Sequence, residues 1–228
     1  MSGTATFRAA RDMLIRHRTD YAKASAEFRW PELPDFNWAL DHFDDLARGN
    51  TRRALWIVDE SGAEASRSFE ELRVASDRAA NFLRRQGIRR GDRLLVMLPN
   101  RVELWEIMLA AIKLGAVLSP ATMLLSETDL TDRIGRGQMR AVIVDTANAA
   151  KFAGLADACI RVSVGEPVTG WADYSQSASE SAAFEPDGPT KAEDPCVLYF
   201  TSGTTSKPKM VLHSQRSYPV GHLSTLYW

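Results

Sequence analysis

Residues 91–119 read GDRLLVMLPNRVELWEIMLAAIKLGAVLS, and this stretch decides the fold. Gly91-Asp92 turns the chain into Arg93–Leu98, an apolar run of strand length that Pro99-Asn100 ends. Val102–Leu114 follows. It is apolar nearly all round and too long for an ordinary strand, which indicates a helix buried between layers. Gly115 then releases the chain into a second short strand at Val117–Ser119. Strands without polar alternation, joined by a helix, belong to a parallel sheet covered on both faces.

The alternation continues in both directions. Downstream, Ser126-x-x-Asp129 opens a helix and Ala141–Asp145 forms a compact buried strand. A helix near 147–157 and a strand near Arg161–Val164 follow. Upstream, Ser68-Phe69-Glu70-Glu71 has capping-box spacing. Behind it Leu72, Ala75, Ala79, Phe82 and Leu83 recur at helical spacing as far as Gly87. Leu55–Val58 reads as a buried strand, turned at Asp59–Gly62 into a second strand near Ala65–Ser68. Pro31, Pro34 and Asp35 break a first helical stretch, and Trp38–Arg48 forms a short helix stopped by Gly49-Asn50. The expected fold class is α/β, a mostly parallel β-sheet with helices on both faces. Residues 1–35 form an N-terminal helical extension and residues 36–228 the sheet domain. Residues 175–194, rich in Ser, Ala, Glu, Asp, Pro and Gly, read as a surface helix end and a long loop.

Composition narrows the function. A net charge of −1 over 228 residues supplies no field for nucleic acid or an anionic membrane surface. The most apolar stretch, Leu104–Leu118, carries Glu106 and Lys113 and falls short of the roughly 20 apolar residues a bilayer span needs. Cys159 and Cys196 lie far apart and outside any C-x-x-C pattern, which suits free thiols in the cytoplasm. His17, His42, His213 and His222 form no metal-binding pair, so no metal ligand is expected from this segment. Residues 7–30 are Arg-rich like a transit peptide, but Asp12, Asp20 and Glu27 favour a surface helix.

The chemistry lies after the strand Cys196–Phe200, in Thr201-Ser202-Gly203-Thr204-Thr205-Ser206-Lys207-Pro208-Lys209. Gly203 lets the backbone turn closely against a ligand, and exposed amides in such a turn make an anion-binding nest. Hydroxyls crowd the segment, and Lys209 places a cation at its exit. These are the groups that hold a polyphosphate. The loop is not a Walker A sequence, because the fifth residue after Gly203 is Pro208, and no G-x-G-x-x-G occurs.

In order as well as content, this loop resembles the signature of the AMP-forming acyl-CoA synthetase, luciferase and adenylation-domain superfamily. The likeness extends over roughly residues 36–228. Phe36-Asn37-Trp38-Ala39 resembles the entry to medium-chain acyl-CoA synthetases. Pro99–Trp105, Lys113–Val117, Pro120-Ala121-Thr122 and Ser126–Leu130 resemble later segments of the same domain. Ser206 and Met210 stand where the family usually has glycine, and a serine forced to positive φ would cost on the order of 1 kcal/mol.

The resemblance implies an incomplete N-terminal part of a ligase that activates a medium-chain or aromatic carboxylic acid. Its cofactor and cosubstrates would be ATP, Mg²⁺ and coenzyme A. Thr201, Ser202, Gly203, Thr204, Thr205, Ser206 and Lys209 would hold the ATP phosphates, with Lys209 the catalytic cation. His213 and His222 read as packing or capping residues. The alternative is a truncated, non-catalytic homologue serving as a binding module. A homo-oligomer stays open.

Overall fold

The computed structural model describes residues 3–201 and 207–227. The chain begins with α1 (Gly3–Arg16) and α2 (Tyr21–Glu27), then a π-helical turn at Trp38–Phe43 that runs into α3 (Asp44–Ala47). Asn37 caps that turn, its side-chain oxygen accepting from the Ala39 and Leu40 amides. Phe7 and Leu14 of α1 are buried with Phe36, Val220 and Leu223, so the N-terminal helix is packed into the molecule.

A two-stranded antiparallel hairpin follows, β1 (Arg53–Val58) with β2 (Glu64–Ser68). It corrects one expectation. The apolar run Leu55–Val58 is not a buried strand, since Trp56 is 54% and Val58 53% exposed. The hairpin stands apart from the main sheet, and Ala54 and Leu55, beside an irregularity in its register, pack against the cluster of Phe43, Leu72 and Leu109. Four apolar residues in a row look buried on both sides, yet alternate side chains of a strand point to opposite faces.

Ser68 ends β2 and caps α4 (Phe69–Arg85) in a reciprocal capping box with Glu71. Then come β3 (Arg93–Met97), α5 (Val102–Leu114), β4 (Val117–Pro120), α6 (Glu127–Gly137) and β5 (Ala141–Asp145). Gly115 ends α5 in the left-handed conformation, φ 74°, that only glycine adopts without strain. Ser126 caps α6 in a second capping box, with Asp129. The helix expected near 147–157 is a shorter 3₁₀ segment, Thr146–Phe152, and Gly154 at φ 74° turns the chain away behind it. The chain closes with β6 (Ile160–Val164), β7 (Ala172–Asp173), β8 (Pro195–Thr201), β9 (Lys209–Ser214) and α7 (Ser217–Gly221).

These strands make a seven-stranded sheet in the order β7-β6-β5-β3-β4-β8-β9. Every neighbouring pair is parallel except β8 with β9, which is antiparallel. The central strands divide their side chains between two cores. Leu94, Val96, Ile143 and Val162 pack under α4 and α5 on one face. Leu95, Met97, Val142 and Val144 pack with Leu130 of α6 and with Phe152 on the other. The α/β sandwich read from residues 91–119 is therefore the observed one.

Where α3, α4 and α5 meet lies a largely buried ionic cluster. Lys113 is 0% exposed, and its Nζ sits 2.7 Å from Asp77 Oδ1 and 2.7 Å from Asp44 Oδ1. Arg73 pairs with Asp77 at 3.0 Å and with Glu70 at 2.7 Å. Burial pushes the Asp44 carboxyl up to about 6 against the pull of Lys113. Hydrogen bonds from Arg73 hold Glu70 down to about 2.

Residues 174–194 begin with a 3₁₀ segment, Tyr174–Ser179, and continue as the expected loop. The loop runs as a strap held by the α4–β3 side of the molecule. Asn81 donates to the carbonyls of Ser181 and Ala183, Arg84 to that of Glu185, and Arg90 to those of Gly188 and Pro189.

Candidate phosphate-binding site

The sheet topology places the site. The chain leaves β3 through α5 on one face and leaves β4, its neighbour, through α6 on the other. Connections diverging from adjacent parallel strands open a crevice at their carboxyl ends, where open α/β sheets bind ligands. β8 is the other neighbour of β4 and parallel to it, so the segment after Thr201 leaves the sheet at the same end.

β8 and β9 form a hairpin whose last registered pair is Thr201 with Lys209. The Thr201 hydroxyl donates to the Lys209 carbonyl at 3.5 Å. The structure thus brings the two ends of the sequence-predicted loop together. Ser202, Gly203, Thr204, Thr205 and Ser206 lie outside the described residues. The expectation about the backbone of Ser206 falls there too.

Helix α6 supplies residues that sequence reasoning missed. Arg136 donates through Nη2 to the Pro208 carbonyl at 3.0 Å and through Nη1 to Asp132 Oδ2 at 2.8 Å. The other Asp132 oxygen lies 3.9 Å from the Lys207 ammonium. Arg133 sets its guanidinium over the Phe200 ring, 5.1 Å from the centroid. The only sequence signal was an acid–base pair four residues apart, which reads like any solvated helix pair.

The histidines near the loop are packed. The His213 ring lies 5.5 Å edge-on to Tyr218, and His222 Nδ1 sits 2.7 Å from the Tyr218 carbonyl. The Tyr199 and Tyr218 hydroxyls are 2.8 Å apart, and burial raises the Tyr199 pKa. Both cysteines are free thiols, and burial pushes Cys196 up to about 12, which makes it a poor nucleophile. A separate apolar groove of about 510 Å³, walled by Trp38, Phe43, Phe69, Trp105 and Tyr218, contains none of the sequence-predicted residues. Among the described residues no group of three or more His, Cys, Asp or Glu is placed to hold a metal ion. None of the described helices is long and apolar enough to cross a membrane.

A mostly parallel sheet whose last two strands pair at its carboxyl end, beside the crevice, is an open α/β architecture of the kind that binds ligands at that end. The family described as AMP-binding enzyme matches residues 43–227, and the chain belongs to that family. Human mitochondrial acyl-coenzyme A synthetase ACSM5 is 34% identical over 202 residues, covering 83% of this chain and 35% of that protein. The 4-hydroxybutyrate–CoA ligase 1 of Metallosphaera sedula is 33% identical over 201 residues, covering 85% and 35% respectively. The crystal structure of a Brucella canis acyl-CoA synthetase superposes with a TM-score of 0.78 at 27% identity, covering 86% of this chain and 38% of that one. The chain thus spans about a third of the length of the curated relatives it matches.

Proposed function

We propose that this chain is the phosphate-gripping N-terminal part of an AMP-forming acid–CoA ligase. One observation carries the reading: the β8–β9 hairpin brings Thr201 and Lys209 together at the carboxyl edge of the parallel sheet. In the first half-reaction a carboxylate oxygen of the acid bonds to the α-phosphorus of ATP. The bond from that phosphorus to the bridging oxygen breaks, and pyrophosphate leaves with the electron pair. In the second, the coenzyme A sulfur bonds to the acyl carbon, AMP leaves, and the thiol proton passes to solvent.

The loop's share is electrostatic. Thr201, Ser202, Thr204, Thr205 and the backbone around Gly203 and Ser206 hold the β- and γ-phosphates, and Lys209 neutralises charge building on the departing pyrophosphate. Mg²⁺ would arrive as part of the MgATP substrate and would offset phosphate charge alongside Lys209. The acid is of medium-chain or aromatic class, as the likeness to medium-chain synthetases suggests. We assign residues 1–35 as an extension and the rest as part of the AMP-binding domain. A cytoplasmic setting is the proposal for the chain, the word mitochondrial belonging to the names of its animal relatives.

The test is ATP–pyrophosphate exchange over a panel of carboxylic acids, run with this chain and with a form extended to the length of its relatives. Acid-dependent exchange by the extended form is the expected result. Exchange by neither form, with any acid, would sink the ligase reading in favour of the non-catalytic module.

A further inference from the structure

The geometry assigns Asp132, Arg133 and Arg136 of α6 as positioning residues that brace both stems of the phosphate loop. This rests on the ATP-binding reading of the β8–β9 hairpin and goes beyond it by naming what fixes that hairpin in place.

The brace has two arms. On the entry side, Arg133 covers the Phe200 ring, one residue before Thr201. Gly137 belongs to the same arm. A β-carbon there would come within 3.3 Å of Phe200 Cζ and would displace the flexible end of Met139, so the end of α6 lies close against the strand. On the exit side, Arg136 holds the Pro208 carbonyl, immediately before Lys209. Asp132 orients Arg136 with one oxygen and faces the Lys207 ammonium with the other. A carbonyl fixed by a guanidinium that is itself fixed by a carboxylate leaves the loop exit little freedom.

Charge alone makes a competing account, because Arg133 and Arg136 would attract phosphate even without bracing anything. The two accounts predict opposite signs for Asp132. In a field account, removing its negative charge tightens ATP binding. In the brace, Asp132→Asn frees Arg136 and loosens ATP.

The experiment uses the full chain as wild type, Asp132→Asn, Arg136→Ala and Arg136→Lys. MgATP affinity is measured by calorimetry, and amide exchange over residues 201–211 by mass spectrometry without ligand. The brace predicts about tenfold weaker ATP binding for Arg136→Ala and a smaller loss for Asp132→Asn, since each removes one partner of a charge-assisted bond. It also predicts faster exchange over 201–211 in both, with unchanged melting temperature. Arg136→Lys keeps the charge but not the fork, and falls between wild type and alanine. Tighter binding by Asp132→Asn, or full affinity in Arg136→Lys, overturns the inference. If the wild type binds no ATP, the phosphate reading fails, and exchange alone decides the brace: unchanged exchange in both variants overturns it, faster exchange supports it.

Discussion

Lys113 and Lys209 stand in opposite surroundings. Lys113 is 0% exposed and shared between two aspartates 2.7 Å away. Lys209 is exposed at the mouth of a hairpin, on the edge strand of the sheet, where Met210 and Leu212 are 44% and 51% exposed. A buried ammonium surrounded by carboxylates has its electrostatic demand met inside the protein, so it locks helices together and can do little else. An ammonium at the rim keeps its charge available for an incoming anion. The difference separates the groups that hold the fold from those the proposed chemistry uses.

Lys113→Met gives the largest effect that would test this contrast. It leaves Asp44 buried without its cation and Asp77 with Arg73 alone, and should destabilise the fold by about 3–5 kcal/mol, read by urea denaturation. Replacing all three groups with apolar residues should recover much of that loss, because the cluster's net contribution is small.

At the rim the order reverses. Lys209→Ala should shift stability by no more than about 0.5 kcal/mol. In the extended form it should slow pyrophosphate exchange by about 10²–10³-fold, as loss of one preorganised donor does. A stability loss comparable to that of Lys113→Met would erase the distinction between the two lysines.

The pH response sharpens the buried side. His42 lies against Phe7 and Trp38, and burial lowers its pKa from 6.5 to about 4. The unfolded chain takes up this proton first, so His42 contributes stability that is full above 6.5 and is lost as pH falls toward about 4. Asp44, raised from 3.8 to about 6, acts with the opposite sign, since the folded state holds its proton more tightly. Comparing wild type with His42→Gln across that window isolates the histidine; the variant's stability should fall less on acidification. Equal slopes would mean that His42 accepts its proton in the folded state.

The smallest effect concerns the α4 cap beside the ionic cluster. Ser68→Ala removes the acceptor for the Glu71 amide and should cost about 1 kcal/mol, read as a lower melting temperature.

Much of this was legible in the sequence, and for physical reasons. β3 and β5 are covered on both faces, so they appear as nearly unbroken apolar runs. Ser68 and Ser126 announce their helices because capping chemistry needs those residues at that spacing. The misread Leu55–Val58 shows the limit, since an apolar run does not state whether a second layer exists to cover its other face. The loop was legible as a string of hydroxyls around Gly203 with a lysine at its exit, and the structure pairs its two ends, Thr201 and Lys209. Its support was not: Arg136 holds a backbone carbonyl 72 residues away, and such a bond leaves no periodic trace in either segment.

The strap over residues 181–189 has a consequence for how this surface can change over time. Its anchors from Asn81, Arg84 and Arg90 reach main-chain oxygens, which every residue type presents. The path is therefore written largely in α4 and the turn before β3, and the strap's own fixed letters are Phe184, packed on the core under Arg84, and Asp187, paired with Arg84. Substitutions at the other strap positions should accumulate with little penalty while Asn81, Arg84, Arg90 and Phe184 resist replacement, so that a variable ribbon is kept on course by a fixed set of pegs.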